Sequence, residues 1–180
     1  MKILRIMMLL AMMTGLLFSI SSCGNDSQVL TDDDKAEIYA VVIRQVYIND
    51  HTFGAGNSPN FPVIYLPRTT DDTSFDPDST QSRSEVLSKS LQDTVISRLD
   101  DLPAKFIWIT DKKEVILSDS SVMGHGATIT LGNIYSQKDG SVKVNASIYI
   151  ANLGGGGFYY VLELIDNEWK IMGKGMRWIS

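Results

Sequence analysis

The two histidines of this chain are the residues best suited to acid–base chemistry. His125 lies between two glycines, six positions after Asp119, and three serines share the same stretch (Ser118, Ser120 and Ser121). A hydroxyl, an imidazole and a carboxylate are the groups that nucleophilic hydrolysis requires. The sequence has no GxSxG motif, and catalytic groups usually assemble from distant positions. A solvated histidine in a turn therefore explains His125 better than a catalytic one.

His51 follows Asn49 and Asp50 directly after the first predicted helix. An imidazole beside a carboxylate could ligate a metal ion or act as a base. The two histidines lie 74 positions apart and the chain has no HExxH motif, so a zinc site is not expected. The negative end of the helix dipole is sufficient to favour a partly charged His51.

Four aspartates in one polar stretch offer the oxygen ligands that calcium prefers: Asp71, Asp72, Asp76 and Asp78. Their spacing lacks the glycine and the final glutamate of an EF-hand loop. Asp, Pro, Ser and Thr are also the usual residues of a solvated loop. We therefore expect no metal ion, no cofactor and no catalytic residue in this chain.

Two amphipathic helices are predicted near the start of the domain. Thr31 precedes three aspartates, a pattern typical of a helix N-terminus, and apolar residues then recur at helical spacing (Tyr39, Val42, Ile43, Val46 and Tyr47). The second helix is expected to begin at a capping box formed by Ser82 and Glu85 and to end before Pro103. Its apolar residues recur every four positions: Leu87, Leu91, Val95 and Leu99.

After the second helix the apolar period changes to two, which predicts strands. The clearest pair is 127–135 with 142–152, joined by a hairpin turn at Asp139-Gly140. The glycine run 154–157 is expected to be a loop. The other predicted strands are 63–66, 106–109, 115–117, 158–165, 169–172 and 176–179. The sequence therefore predicts an α+β domain, with two helices packed on a curved antiparallel sheet of four to six strands.

The beginning of the chain has the pattern of a secretory signal peptide. Lys2 and Arg5 precede an apolar stretch at residues 6–20, which is shorter than the ~20 residues that cross a bilayer. The stretch ends in the tetrapeptide ISSC at residues 20–23. We expect residues 1–22 to be removed and residues 31–180 to form one domain.

The ISSC tetrapeptide resembles the lipobox of bacterial lipoproteins, in which an aliphatic residue and two small residues precede a cysteine. Ile20 stands at the aliphatic position, where the family more often has Leu. The resemblance implies that Cys23, the only cysteine, is acylated and that residues 23–30 tether the domain to a lipid bilayer. Gly24 is not the Asp that favours inner-membrane retention, which in a diderm implies the outer membrane.

The charge of the chain excludes a common class of partner. Of 180 residues, 16 are Lys or Arg and 21 are Asp or Glu, a net charge of −5. Removal of Lys2 and Arg5 with the leader leaves 14 basic and 21 acidic residues, a net charge of −7. Nucleic-acid binding requires a positive field, so it is not expected.

The last part of the chain is similar to the ends of uncharacterised secreted bacterial proteins, and loosely to the final hairpin of NTF2-like and cystatin-like folds. The similarity covers three short segments: YVLE at 160–163, WKIxG at 169–173 and WIS at 178–180. It implies a fold but no activity, because these folds carry both enzymes and binding modules.

We therefore expect a membrane-anchored lipoprotein of the cell envelope, at the cell membrane or outer membrane, with its domain outside the cytoplasm. The domain is predicted to bind a protein or small-molecule ligand without catalysing a reaction. The long irregular segment 49–80 and the second face of the sheet are the expected binding surfaces. The alternatives are a small envelope hydrolase that uses His125 or His51, and a structural component without a ligand.

Overall fold

The computed structural model describes residues 29–51, 61–73, 83–151 and 154–180. Within these residues the fold is α+β, with two helices and one open, mixed sheet of six strands. The strand order is β2-β1-β3-β4-β5-β6. In chain order the elements are α1 (Asp32–Ile48), β1 (Val63–Pro67), α2 (Lys89–Ser97), β2 (Lys105–Ile109), β3 (Ala127–Ser136), β4 (Val142–Ala151), β5 (Gly154–Ile165) and β6 (Glu168–Ile179). The expected leader and Cys23 lie outside the described residues.

Helix α1 begins as its sequence predicts. The Thr31 side chain accepts a hydrogen bond from Asp34 N, and the Asp34 carboxylate accepts one from Thr31 N, which together form a capping box. The apolar side of α1 is buried in the main core against one face of the sheet. Helix α1 therefore fixes the N-terminal end of the domain to that face.

Helix α2 starts later than expected. Its N-cap is Ser88, whose hydroxyl accepts from Leu91 N, and Ser82 lies outside the described residues. The residues before Ser88 are extended, because Glu85 N donates to the Thr70 hydroxyl and Leu87 N donates to Arg68 O. These long-range hydrogen bonds use the backbone donors of the predicted first turn, so the prediction of a helix start at Ser82 is wrong.

The predicted hairpin is confirmed. Strands β3 and β4 pair antiparallel, from Thr128 opposite Tyr149 to Ser136 opposite Val142. Gly140 has a φ of +86°, a conformation that favours glycine. The strand predictions at 63–66 and 106–109 are also confirmed, as β1 and β2.

The sheet is mixed, so the prediction of an antiparallel sheet is wrong for two of its strands. Strand β1 lies between β2 and β3 and runs parallel to both. The connection from β1 to β2 contains α2, and a parallel pair requires such a crossover. The segment 110–126 connects β2 to β3 and passes the second face of the sheet, the one that faces away from the helices.

The glycine run 154–157 forms the start of β5 rather than a loop, so that prediction is also wrong. Gly157 pairs with Trp178 on β6, and a Cβ added to Gly157 would lie 2.7 Å from Trp178 Cδ1. Gly155 also lies under this indole, 3.2 Å from Trp178 Cζ3 for an added Cβ. The glycines therefore make room for a tryptophan that packs flat across the strand.

A small second core lies under the segment 110–126. It consists of four buried residues: Tyr65, Ile109, Val115 and Val122. The possible strand at 115–117 is reduced to a single bridge between Ile116 and Val122, after a short 3₁₀ helix at Lys112–Glu114. This cluster holds the segment against the second face of the sheet and thereby forms one wall of the site described next.

Candidate binding cleft

A cleft of about 420 Å³ opens on the second sheet face at the carboxyl ends of β1 and β2. Both strands run in the same direction, so the residues that follow them meet at one edge of the sheet. In parallel sheets this edge is where ligands usually bind. The lining residues come from the last residue of β1 and the turn after it, from the segment after β2, from β3 and from the segment before α2: Pro67, Thr69, Thr70, Asp71, Ser84, Thr110, Asp111, Lys112, Lys113 and Thr130.

The cleft exists because two strands separate there. The ladder between β1 and β3 has only two pairs and ends at Tyr65 opposite Thr128. Arg68 N donates to Ile109 O of β2. The backbone N–H and C=O groups of successive residues in a strand point to opposite neighbouring strands, so the backbone nitrogen of Pro67 points toward β3. Proline has no N–H to donate, and the ladder stops there. Pro67 and Thr130, which the same register would place opposite each other two positions further along, line the opening instead.

The β1 side of the cleft is a short polar turn held at both ends. Asp71 N donates to Leu131 O of β3 at 2.8 Å, which returns the chain to the sheet beyond the opening. The Asp71 carboxylate accepts from Thr73 N at 2.9 Å and from the Thr73 hydroxyl at 2.5 Å. The next residue, Asp72, is buried and anchors the turn from below.

Asp72 is the centre of a buried polar network. Its carboxylate accepts from Asn133 Nδ2 and Tyr135 Oη at 2.7 Å each, and from Asn133 N and Asn145 Nδ2 at 3.2 Å each. The Thr70 hydroxyl donates to Asn133 Oδ1 at 2.8 Å, so the turn is bound to β3 at two points. A buried carboxylate with several donors is rigid, and it fixes the polar groups that line the cleft.

The β2 side of the cleft carries both signs of charge. Asp111 caps the 3₁₀ helix, since its carboxylate accepts from Lys113 N at 2.9 Å. Burial lowers the pKa of Lys112 below its ordinary value of 10.5, and the carboxylates of Asp71 and Asp111 oppose that shift. A partly buried ammonium between two carboxylates gives the cleft a balanced charge rather than a field of one sign.

The lining fits a small polar ligand. Threonine methyl groups, the Pro67 ring and lysine methylenes supply carbon surface, while hydroxyls, carboxylates and ammonium groups supply hydrogen bonds. Binding pockets of this kind are mostly carbon-lined, with a few polar groups that set the ligand's orientation. Within the described residues, no group of three or more His, Cys, Asp or Glu side chains could hold a metal ion.

The structure places His125 away from this cleft. His125 is exposed at the end of a 3₁₀ turn, with a φ of 55°. The carboxylate of Asp119 accepts from Ser121 N at 3.0 Å and from the Ser121 hydroxyl at 2.6 Å, and these bonds lower the pKa of Asp119. The carboxylate and the serine therefore pair with each other, and no hydrogen bond joins either of them to His125.

His51 also lies apart from the cleft, beyond the end of α1. It is half-buried, and its Nδ1 has no hydrogen-bond partner in the described part of the chain. The neighbouring Asp50 accepts from Tyr160 Oη at 3.0 Å and from Lys174 Nζ at 2.6 Å, which ties the end of α1 to β5 and β6. The carboxylate beside His51 thus forms tertiary contacts.

Only two of the four aspartates considered for calcium lie in the described residues. Asp71 faces the cleft and Asp72 is buried beneath it, while Asp76 and Asp78 lie outside the described residues. The predicted binding segment 49–80 supplies residues 67 and 69–71 of the lining. Residues 52–60 and 74–80 of that segment are outside the described ranges.

Sequence patterns indicated the segment 49–80 and the second sheet face but not the cleft itself, because the rest of its lining comes from separate segments. A signal was present in the chain: a polar cluster follows β1 (Thr69, Thr70, Asp71) and another follows β2 (Thr110, Asp111, Lys112). Two such clusters meet only if their strands are parallel, and parallel pairing was not predicted.

None of the described helices is long and apolar enough to cross a membrane. Comparison of the chain with protein-family models, with curated proteins and with solved structures gave no match.

Proposed function

We propose that this chain is a lipoprotein of the cell envelope, anchored through acylated Cys23, whose domain binds a small polar ligand without catalysing a reaction. The anchor is supported by the ISSC tetrapeptide that ends the short apolar stretch. The binding function is supported by one observation above all, the cleft at the carboxyl ends of β1 and β2. The bilayer and this ligand are the proposed partners.

The chemistry of the lining supports a ligand that carries both donors and acceptors. Hydroxyls can donate or accept, Asp71 and Asp111 accept, and Lys112 and Lys113 donate. Two carboxylates and two ammonium groups balance, so a ligand without a large net charge suits the cleft best. Small sugars, amino acids and dipeptides meet these requirements.

Ligand-observed NMR with a panel of these compounds tests the binding function. Thr130→Val removes a hydroxyl from the lining at nearly constant volume and is expected to weaken binding about 5–10-fold, the equivalent of one net hydrogen bond. Thr128→Val is the matched control, because Thr128 lies two residues earlier on the same face of β3 and outside the lining. Equal loss in both variants, or no compound bound by the unmodified protein, would contradict the proposal.

Incorporation of labelled fatty acid tests the anchor. The unmodified chain is expected to take up the label and to appear in the membrane fraction, at the cell membrane or, in a diderm, the outer membrane. Cys23→Ser is expected to abolish labelling and cleavage, because the thiolate is the nucleophile that receives the lipid. Labelling of the Ser variant would refute the assignment.

We also propose that the sheet is curved. The support comes from shifts of register in three of its ladders, between Leu131 and Ile134, between Tyr149 and Ala151, and at Gly157 and Val161. Such bulges bend a strand and increase its local twist.

A further inference from the structure

Strand β6 forms an exposed edge of the sheet with an unusual amount of apolar surface. It is 12 residues long, and no strand pairs with its outer side in the described residues. Met172 is 55% exposed and Met176 is 59% exposed, and Ile179 near the end of the strand is also exposed. Bulges in its ladder and its charged side chains oppose pairing with another strand, whereas its exposed apolar side chains are suited to contact with another kind of surface.

The charge of β6 differs in sign from that of the domain. The strand carries Lys170, Lys174 and Arg177 but only one acidic residue, Glu168, whereas residues 24–180 carry a net charge of −7. Lys174 is held by Asp50 and is therefore not part of the docking charge. Lys170 is paired with Glu168 at 3.3 Å across exposed side chains, and such pairs exchange partners at little cost. Cations interleaved with methionines are the composition of elements that lie on anionic membranes.

The start of the folded domain lies beside the start of β6. Trp169 N donates to Glu37 Oε1 at 2.9 Å and Trp169 Nε1 donates to Asp34 Oδ1 at 3.3 Å, so the first turns of α1 contact this strand. Seven residues separate Cys23 from Thr31, and fully extended they reach at most ~25 Å. Met176 lies seven residues beyond Trp169, or ~23 Å along the strand. A lipid on Cys23 would therefore hold the start of the edge within about 25 Å of the bilayer and allow the rest of the edge to reach it.

We propose that the β6 edge docks on the anionic lipid surface to which Cys23 anchors the protein. This inference rests on the proposed anchor. The methionines enter the headgroup region while the exposed Lys170 faces lipid phosphates. The free backbone groups of the edge stay hydrated at this depth, so docking does not require their burial in hydrocarbon. The second sheet face and its cleft then remain open to the aqueous phase.

The test uses the full lipidated protein in vesicles, with an environment-sensitive fluorophore on a new thiol, because acylation blocks the sulfur of Cys23. Met172→Cys and Met176→Cys place the probe on the β6 edge. Met123→Cys is the matched control, an exposed methionine (42%) in the segment between β2 and β3. We expect the two β6 probes to shift to shorter wavelength and to be quenched by lipid-borne quenchers, more in anionic than in zwitterionic vesicles, while the control stays aqueous.

A pair of charge variants tests the electrostatic part. Lys170→Gln removes one exposed lysine from the β6 edge and is expected to lower the ratio of docked to undocked protein about fivefold, the contribution of one cation near an anionic surface. Lys105→Gln removes an exposed lysine from β2, the opposite edge, and should leave the ratio unchanged.

The outcomes separate the two proposals. A protein that incorporates fatty acid but whose β6 probes match the Met123 control would overturn docking and leave the anchor in place. A shift that persists in detergent and grows with protein concentration would assign the edge to a second copy of the chain and also overturn it. A protein without the lipid would refute both the anchor and the docking that rests on it.

Discussion

The buried carboxylate of Asp72 provides the sharpest test of how the cleft is held open. Asp72 is only 4% exposed and accepts four hydrogen bonds, two from Asn133 and one each from Tyr135 and Asn145. Asp72→Ala removes all four acceptor contacts and leaves the donors behind. We expect the variant to fold with a large loss of stability and with a loosened turn after β1.

The magnitude follows from the fate of the donors on Tyr135 and Asn133. Tyr135 is exposed, so water can replace the carboxylate at its hydroxyl. Asn133 is buried, and its backbone N–H loses its partner, while its Nδ2 keeps a hydrogen bond to Arg83 O. One trapped donor costs about 1–3 kcal/mol, and the lost bonds to a charged acceptor add to it, so we expect a loss of about 2–4 kcal/mol. For a domain of this size that is a fall of about 4–16 °C in Tm.

Urea unfolding followed by circular dichroism measures this loss. Asp119→Ala is the matched control, because Asp119 accepts two hydrogen bonds from Ser121 in an exposed turn. We expect this control to lower the free energy of unfolding by less than about 0.5 kcal/mol. Asp72→Ala should in addition weaken ligand binding at the cleft, because the turn loses its support. Equal stability of the two alanine variants would refute the reasoning.

Three further predictions concern the sheet, the pH dependence and the histidines. Gly157→Ala should cost about 1–3 kcal/mol in urea unfolding, because its Cβ would meet Trp178, whereas Gly173→Ala, with ordinary contacts, should cost less. Burial and a nearby carboxylate raise the pKa of Tyr160 far above its ordinary value of 10.0. The unfolded chain loses this proton first as pH rises, so Tyr160 contributes a fall in stability of about 1.4 kcal/mol per pH unit above pH ~10. Burial also raises the pKa of Tyr39, so Tyr160→Phe should reduce the slope of the urea midpoints by the contribution of Tyr160 and leave that of Tyr39. Replacement of both histidines by Gln should leave ligand binding and Tm nearly unchanged, and a hydrolytic activity that disappears in the folded variant would contradict this expectation.

Local patterns predicted the parts of the fold that local interactions determine. The β3–β4 hairpin follows from alternation on both sides of Asp139-Gly140, and α1 follows from Thr31 and the apolar stripe behind it. Glycine is a turn signal, so local patterns predict a loop at 154–157, and only the packing of Trp178, about twenty positions later, explains the strand found there.

The candidate site was less predictable than the fold. Parallel pairing of β1 with β2 and β3 depends on contacts between distant segments, and no local signal specifies it. Without it, the polar residues after β1 and after β2 have no reason to be near each other. Thr130 lies in a stretch where apolar and polar residues alternate, so the sequence predicts an ordinary strand residue there. It lines the cleft only because the ladder between β1 and β3 ends before it.

The ladder between β1 and β3 has only two pairs, and it divides the sheet into two units that differ in how cooperatively they fold and open. Strands β3 to β6 pair with their neighbours in sequence and form long ladders, whereas β1 and β2 are joined to them by few backbone hydrogen bonds. Short, non-local pairings form late in folding and open first in the native state. We therefore expect the amide hydrogens of the β1–β2 unit to exchange through local opening more readily than those of the β3–β6 meander. A ligand that bridges Pro67 and Thr130 would join the two units and slow that exchange. Ligand binding would then be measurable as stronger amide-exchange protection in strands that the ligand does not touch.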